Sequence, residues 1–394
     1  MFTLKMLKFF RIILLLVFLM QMQIVSALNL KTGAEQPEKY LRLVRNKNIG
    51  LVVNHTSIVK EEHLVDFLLK NEIKVRTIFA PEHGFRGNAS AGKEIKDGID
   101  PSTGLPVISL YGKTKKPTTE HLKNIDMLIF DIQDVGCRFY TYISTLHLVI
   151  EACAENEIDL LVLDRPNPNG DYVAGPILKP GFESFVGMDP IPVVHGCTVG
   201  ELAKMINGEK WHKAENNCVI HVIPVANYTH SMKYELPVLP SPNLPNYLSV
   251  RLYPSLCFFE ATSVSVGRGT DFPFQVLGGP NRNLGDFKFI PRSIKGAAIN
   301  PLNEGQECYG IDLRKLEEVP RFTLKYFLDF YKKYENEEEF LTRENWFNLL
   351  AGTDKLIALI REGKKEADML DYFEKELEEF KDLRKKYLLY PDFE

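Results

Sequence analysis

Hydrophobic positions between residues 48 and 166 form short continuous runs that alternate with longer, partly polar segments. Five runs predict strands: NIGLVVN, KVRTIFAPE, LPVISLYG, MLIFDIQDV and IDLLVLDRP. Three intervening segments have helical spacing: SIVKEEHLVDFLLKN, TTEHLKNI and TYISTLHLVIEACAENE. Continuous apolar strands alternating with helices are typical of a parallel sheet that is covered on both faces. The pattern therefore predicts an α/β fold with a Rossmann-like, mainly parallel sheet.

Four of these strands change from apolar to polar at their carboxyl ends. The polar residues are Asn54 and His55, Glu82 and His83, Asp131, Gln133 and Asp134, and Asp164 and Arg165. A single Asp or Asn at such a position is as readily a cap of the following helix. Four strands ending in this way favour a polar binding site, because ligands of open α/β sheets bind at this edge.

The loop PEHGFRGNASAG places an acid, a base and a cation, Glu82, His83 and Arg86, within five residues. No GxGxxG follows the first strand and no P-loop pattern occurs, so a dinucleotide or nucleotide cofactor is not expected. Metal binding through His55, His83, Asp131 and Asp134 is an alternative, but their spacing matches no known ligand motif. We predict neither a cofactor nor a metal.

The second half of the chain carries further polar motifs. His195 precedes the helical segment GELAKMIN, which Thr198 and Glu201 open as a capping box. In FFEATSVSVGRGTDFPFQ, Glu260 and Arg268 are expected on a strand and the loop after it, and glycines beside Arg268 suggest a close backbone approach to a ligand. The composition of LPVLPSPNLPNY predicts a linker. The last 29 residues are expected to form an amphipathic helix whose apolar face packs against the rest of the protein.

Length and charge narrow the class of protein. A chain of 394 residues is long enough for two domains, and its net charge of −4 gives no reason to expect nucleic acid as a partner. The six cysteines have irregular spacing without CxxC, so we expect buried free thiols rather than a zinc site.

Residues 1–27 have the features of a signal peptide. Three cations precede an apolar stretch shorter than a membrane span needs, and Val25, Ser26 and Ala27 resemble a cleavage site. We expect export to the periplasm or medium, with cleavage near Ala27 and no stable membrane span afterwards.

Eight motifs occur in one order along the chain: NHTS, APEHGFRG, TGLPVISLYG, FDIQDVGCRFYTYISTL, LDRPNPNG, HGCTVGELA, PSPNLP and VGRGT. In these motifs the chain resembles the NamZ-type exo-β-N-acetylmuramidases over nearly its whole mature length. The resemblance implies a Rossmann-like N-terminal domain, taken as residues 28–245, and a smaller C-terminal α/β domain, residues 246–394. The active-site cleft would lie between the two domains.

The resemblance also implies the activity. Members are secreted or periplasmic glycoside hydrolases that remove terminal β-1,4-linked N-acetylmuramic acid from the non-reducing end of peptidoglycan fragments. The Glu of the PEHG motif, Glu82 here, is the family's catalytic acid. The PSPN stretch, which contains Asn243, lines the cleft in this family rather than linking domains.

Glycoside hydrolysis needs an acid and a second group on the other side of the sugar ring. With Glu82 as the acid, we expect Asp131 or Asp134 either to orient the substrate's own acetamido group or to activate water. The lactyl carboxylate of muramic acid would be bound by an arginine, and Arg138, Arg165 and Arg268 are the candidates. For Arg138 and Arg268, a structural ion pair is an equal alternative. Tyr140 is expected to stack on the sugar.

Two other classes of function remain open at this point. One is a non-catalytic periplasmic protein that binds muropeptides or sugars without turnover. The other is a metal-dependent hydrolase of the same polymer, whose activity a chelator would abolish.

Overall fold

The computed structural model describes residues 30–82, 84–85 and 97–394 of the chain. Its strands are β1 (Asn48–Val53), β2 (Ile58–Val59), β3 (Glu62–His63), β4 (Lys74–Ala80), β5 (Gly98–Ile99), β6 (Pro106–Ser109), β7 (Met127–Asp131), β8 (Asp159–Leu163), β9 (Ala174–Ile177), β10 (Pro192–Val194), β11 (Ile220–Ile223), β12 (Val276–Gly279), β13 (Phe287–Phe289) and β14 (Cys308–Asp312). Its α-helices are α1 (Pro37–Val44), α2 (Leu64–Lys70), α3 (Thr119–Leu122), α4 (Tyr142–Glu155), α5 (Val199–Gly208), α6 (Tyr247–Leu256), α7 (Lys325–Tyr331), α8 (Glu337–Phe340), α9 (Glu344–Ala351), α10 (Lys355–Arg361) and α11 (Glu366–Lys385).

A seven-stranded sheet in the order β11-β8-β7-β1-β4-β6-β5 forms the centre of the first part of the chain. All neighbouring strands are parallel except the β5–β6 pair at one edge. From β1, the chain first adds β4, β6 and β5 on one side of the sheet. It then returns to the other side of β1 and adds β7, β8 and β11. The two directions diverge between β1 and β7, and this is where the carboxyl ends of a doubly wound sheet leave a crevice.

Both faces of this sheet are covered, which explains the continuous apolar runs in the sequence. Leu51 and Val53 of β1 pack in one cluster with residues of α1 and α2. Val52, between them, packs in a second cluster with residues of α4 and α5. Because successive side chains point to opposite faces, a strand buried on both faces must be apolar at every position. The predicted mainly parallel α/β fold is confirmed.

Two element predictions were wrong in detail. The segment SIVKEEHLVDFLLKN was expected to be one helix, but its first half forms the β2–β3 hairpin and only Leu64–Lys70 is helical. Lys60, at the turn of that hairpin, has a φ of 59°, which interrupts helical geometry. Glu260 was expected on a strand, but it lies in a 3-10 helix, Cys257–Ala261.

The second part of the chain contains a three-stranded antiparallel sheet, β12-β14-β13, and helices α7 to α11. Its core is rich in phenylalanine, with Phe259 contacting the rings of Phe327, Phe330 and Phe340. These residues belong to the same hydrophobic cluster as the α4 face of the large sheet. The two parts therefore share one continuous core.

The last residues return to the first part of the chain. Arg384 of α11 donates to the Gly196 carbonyl at 2.8 Å, and the Leu389 amide donates to Glu201 at 2.8 Å. The expected amphipathic helix is present over Glu366–Lys385, with Phe373, Leu377 and Phe380 buried, but residues 386–394, also expected to be helical, are not.

All six cysteines are buried and unpaired. Within the described ranges, the helices are all too short or too polar to cross a membrane.

Candidate active site

Loops at the carboxyl edge of the large sheet and loops of the second part enclose a cleft of about 1310 Å³. The first part contributes Glu82, which follows β4, and Tyr111, which follows β6, and Thr141 just before α4. The second part contributes Glu260, Arg268 and Arg343 among others. The cleft thus brings together groups that are about 180 residues apart in the sequence, among them two carboxylates.

Glu82 is held at the mouth of the sheet by hydroxyl groups. Thr141 Oγ1 donates to Glu82 Oε2 at 2.8 Å, and the Tyr142 hydroxyl donates to the Glu82 carbonyl at 3.4 Å. The Tyr111 hydroxyl also hydrogen-bonds to the Glu82 side chain; burial, and then this carboxylate, raise the pKa of Tyr111. Two hydroxyl groups beside this half-buried carboxylate help to orient it where it lines the cleft.

Glu260 and Arg268 form an ion pair on the opposite side. Arg268 Nε and Nη2 both donate to Glu260 Oε1, at 2.9 and 2.6 Å. Burial lowers the pKa of Arg268, but the Glu260 carboxylate more than offsets this, so that the pKa is raised. Glu260 Oε2 takes part in no hydrogen bond with the described residues and remains available to a ligand.

The glycines beside Arg268 were expected to allow a ligand to approach the backbone, but the structure gives Gly269 a different role. Gly269 has a φ of 82°, and a Cβ there would lie 2.6 Å from the Arg292 carbonyl oxygen. What approaches the GRG backbone is another segment of the protein rather than a ligand. The same Cβ would lie 2.6 Å from Pro301 Cγ, so the glycine also lets the Arg268 loop pack closely against the cleft-lining segment 297–302.

Asp131 and Asp134 do not line this cleft, and they do not line the other cavity of the molecule, described below. Asp131 is fully buried and accepts from Arg165 Nε at 2.6 Å and Nη2 at 3.0 Å. Asp134 accepts from the Gly136 amide at 2.6 Å and lies 3.6 Å from His195 Nε2, while its buried Oδ1 has no hydrogen-bond partner among the described residues. The second carboxylate that lines the cleft with Glu82 is Glu260.

Several of the expected binding residues support the cleft instead of lining it. His55 Nε2 bonds to the Leu239 carbonyl at 2.7 Å, and the Tyr140 hydroxyl donates to the Pro240 carbonyl at 2.7 Å. Asn243 donates to the carbonyl of Ala297, a cleft residue, at 3.1 Å. These bonds hold the proline-rich segment against both parts of the chain, so it is not a free linker.

Tyr140 and Asn54 are enclosed. The Tyr140 ring packs edge-on against Tyr142 at 4.9 Å, and only 8% of the residue is exposed. Asn54 is fully buried, and its Oδ1 accepts from the Thr56 hydroxyl at 2.6 Å.

Arg138 is fully buried among main-chain carbonyls. It donates to Pro176 and Ile191 at 2.7 Å each and to Leu350 of α9 at 2.8 Å. Burial lowers its pKa to about 10. No carboxylate pairs with it, so the ion pair considered from the sequence is absent from its described surroundings. These contacts assign it to the packing of α9 against β9 and β10.

Asp164 and His195 also have structural partners. Asp164 accepts from the Gly200 amide at 2.8 Å and from the Thr198 hydroxyl at 2.7 Å, at the start of α5. Burial raises its pKa to about 6. His195 is completely buried, and its Nδ1 accepts from the Cys197 amide at 3.2 Å. The capping role weighed for strand-end residues applies to Asp164.

Gln133 and Arg165 line a separate cavity, while His83 and Arg86 lie outside the described residues. Across the described part of the chain, no group of three His, Cys, Asp or Glu residues is arranged to hold a metal ion.

The cleft residues that sequence reasoning missed include Lys115, Arg343 and Trp346. Lys115 lies 4.6 Å above the Phe185 ring, and Arg343 is exposed with no side-chain hydrogen bond to a described residue. None belongs to a recognisable motif. The run KTKK around Lys115 is the one local signal, and Arg343 reaches the cleft only through the packing of α9.

The fold and cleft define a two-part α/β protein whose carboxylate-bearing site lies between a doubly wound sheet and a smaller domain. The N-terminal family model of the exo-β-N-acetylmuramidase NamZ matches residues 49–248, and the C-terminal model matches residues 251–390. The chain belongs to the exo-β-N-acetylmuramidase NamZ family.

Individual relatives agree with this assignment. The chain is 40% identical over 372 residues to the peptidoglycan β-N-acetylmuramidase NamZ of Bacillus subtilis strain 168, covering 89% of each protein. Two crystal structures of DUF1343 family proteins from Bacteroides fragilis are similar, with TM-scores of 0.85 and 0.80. Their identities are 46% and 29%, and each match covers 92% of this chain and 99% of the other.

Proposed function

We propose that this protein is an exo-acting β-N-acetylmuramidase that removes terminal N-acetylmuramic acid from peptidoglycan fragments. The observation that carries the proposal is the cleft in which Glu82 and Glu260 occur together between the two parts of the chain. Family membership and the 40% identical peptidoglycan muramidase supply the substrate class.

Glu82 is the proton donor to the leaving oxygen in this proposal. Thr141 and Tyr111 orient its carboxyl group, so that it needs no rearrangement when substrate binds. Glu260 replaces the aspartates as the second carboxylate. Its free Oε2 acts on the acetamido group or on water, while Arg268 keeps Oε1 in place.

The lactyl carboxylate distinguishes muramic acid from N-acetylglucosamine. Arg138 is committed to buried carbonyls, Arg165 lines the other cavity and is paired with Asp131, and Arg268 is neutralised by Glu260. Among the described arginines that line the cleft, Arg343 is the exposed one, and it is therefore our candidate for binding this carboxylate.

Export completes the proposal. The cation-rich start, short apolar stretch and Val-Ser-Ala sequence near residue 27 support a cleaved signal peptide, and peptidoglycan lies outside the cytoplasmic membrane. A role in cell-wall turnover follows from the substrate. N-terminal sequencing of protein recovered from the periplasm or medium tests the cleavage site near Ala27.

The test of activity compares chromogenic β-N-acetylmuramide with β-N-acetylglucosaminide. We expect cleavage of the muramide alone, and a loss of at least about a thousandfold in kcat for Glu82→Gln, which retains the shape but not the acid. The same assay with EDTA distinguishes a metal-dependent hydrolase, and binding without turnover would identify a sugar-binding protein. If neither the glycoside nor a natural muramic acid–glucosamine disaccharide is cleaved, the proposal is wrong.

A further inference from the structure

A second cavity, of about 950 Å³, lies at the crevice where the sheet diverges between β1 and β7. Its lining includes Thr56 after β1, Gln133 after β7 and Arg165 after β8. The cleft with Glu82 is built by the loops after β4 and β6 and by Phe139 and Thr141, at the far end of the loop after β7. Among the described residues, none lines both cavities, and we treat the two as separate sites.

Two nearly buried side chains offer unused polar atoms to this second cavity. The Gln133 amide nitrogen donates to the carbonyls of Asp134 and Pro166, both at 2.8 Å, which leaves its Oε1 without a described partner. Arg165 uses Nε and Nη2 on Asp131 and Ile58, which leaves Nη1 without one. Gln133 is 3% exposed and Arg165 is 5% exposed, yet neither free atom is sealed off from solvent.

The chemistry of the cavity matches a peptide group. Arg165 Nη1 is a donor and Gln133 Oε1 is an acceptor, which complement the carbonyl and the N–H of one main-chain amide. The adjacent walls are apolar or aromatic, provided by Ile58, Val238 and Tyr234. Side chains of both charges complete the lining, and they can pair with the charged ends of a short chain: Glu35, Lys60, Lys233 and Glu235.

A simple anion site would look different. The charge of Arg165 is already neutralised by Asp131, and the remaining lining carries two cations and two carboxylates. A ligand with paired donor and acceptor groups, a small apolar side chain and ends of opposite charge fits this arrangement better than phosphate or a single carboxylate does.

We propose that this second cavity binds a short peptide through a main-chain amide held by Arg165 and Gln133. The peptide could be free in solution or attached to the lactyl group of muramic acid. The proposal does not depend on hydrolysis in the cleft with Glu82, because the two sites have no described residue in common.

The test titrates the purified protein with two probes and follows binding by ligand-observed NMR. One probe is the dipeptide L-alanyl-D-isoglutamine, and the other is the same dipeptide attached to N-acetylmuramic acid. N-acetylmuramic acid alone is the control for binding through the sugar. Chromogenic glycosidase activity is measured on every sample, so that failure of the proposed function is scored separately.

Two variants change the cavity without touching the buried Arg165–Asp131 pair. Tyr234→Ala removes the aromatic wall and Ser231→Trp fills the entrance at an exposed position. The matched control is Tyr372→Ala, an exposed tyrosine on α11 away from both cavities. We expect at least one peptide probe to bind, about tenfold more weakly to Tyr234→Ala and Ser231→Trp, and unchanged to Tyr372→Ala.

The pattern across the probes identifies the source of the peptide. Binding of both probes indicates a site for free peptide. Binding of the muramyl-linked probe alone indicates a site for peptide attached to muramic acid. Either outcome supports the proposal if Tyr234→Ala and Ser231→Trp weaken the binding. Absence of binding by either probe overturns it. So does binding that Tyr234→Ala and Ser231→Trp leave unchanged, because the peptide would then occupy another site.

Discussion

At the scale of single residues, the cleft depends on hydroxyl groups that orient a carboxylate. Thr141 immediately precedes α4, and its Oγ1 lies 2.8 Å from Glu82 Oε2. A typical intramolecular hydrogen bond contributes about 0.5–1.5 kcal/mol. Loss of the Thr141 hydroxyl should therefore affect the orientation of the Glu82 carboxyl group in the cleft, while leaving most substrate contacts intact.

Thr141→Val tests this directly, because valine has the shape of threonine without the hydroxyl. We expect kcat on the muramide to fall about tenfold, with KM little changed. Thr141→Ser restores the donor and should restore kcat. Equal losses in both variants would show that the methyl group, and not the hydrogen bond, matters at this position.

Asp164 provides a prediction about pH. Burial raises the pKa of its carboxyl from 3.8 to about 6, so the folded state binds the proton more tightly than the unfolded chain. The stability from this group is fully present below pH 4 and is lost as the pH rises through 6. The loss is at most about 3 kcal/mol for a shift of this size.

Urea unfolding of the wild type and of Asp164→Asn, from pH 4 to 7.5, measures this contribution. The amide cannot ionise, so the free energy of unfolding of the variant, relative to that of the wild type, should increase between pH 4 and 6.5. A constant difference over this range would contradict the raised pKa. Glu151→Gln, which removes another carboxylate whose pKa is instead lowered, should show the opposite trend.

At the scale of elements, Arg138 fastens α9 to β9 and β10 through three carbonyl groups. Arg138→Ala leaves those buried carbonyls unpaired and opens a cavity, so we expect a loss of about 3 kcal/mol or more in stability. The matched variant is Arg343→Ala, at an exposed arginine that lines the cleft.

The two variants should separate stability from specificity. Arg343→Ala should leave the melting temperature unchanged and raise KM for the muramide about tenfold. Arg138→Ala should lower the melting temperature, with KM unchanged at temperatures where the protein remains folded. A raised KM in Arg138→Ala without loss of stability would show that Arg138 binds substrate after all.

The large sheet could be predicted from the sequence because both its faces are buried, and strands such as LLVLD therefore read as continuous apolar runs. Glu82 could be predicted because it follows such a run and belongs to a family motif. The partners of Asp131 could not, because Arg165 comes from a neighbouring strand 34 residues later. Nor could Glu260 be placed opposite Glu82, since their encounter depends on how the two parts of the chain pack.

At the scale of the whole molecule, the end of the chain completes the first part. The Tyr390 hydroxyl donates to Asp164, the Leu389 amide to Glu201, and the His230 amide to the Pro391 carbonyl. Asp164 and Glu201 are fully buried, so solvent cannot replace these donors. The last seven residues thus contribute to stability far more than their number suggests.

Removal of residues 388–394 should reduce the free energy of unfolding by about 4 kcal/mol or more, because several buried polar groups lose their partners. Urea denaturation measures the effect. Removal of Glu394 alone is the control, since its exposed contact with Lys381 should contribute less than about 1 kcal/mol. Equal stability of the longer truncation and the control would show that the tail is dispensable.

The contacts of the C-terminal residues also determine when, during synthesis, the first part of the chain can complete its folding. A chain is made from its first residue to its last, so Asp164 and Glu201 are synthesised more than 180 residues before Leu389 and Tyr390. While the chain is still being made, these two acids have no access to their final donors. The large sheet can form early, but its native state is reached only after synthesis has finished, which leaves an interval in which chaperones meet an incompletely closed first domain.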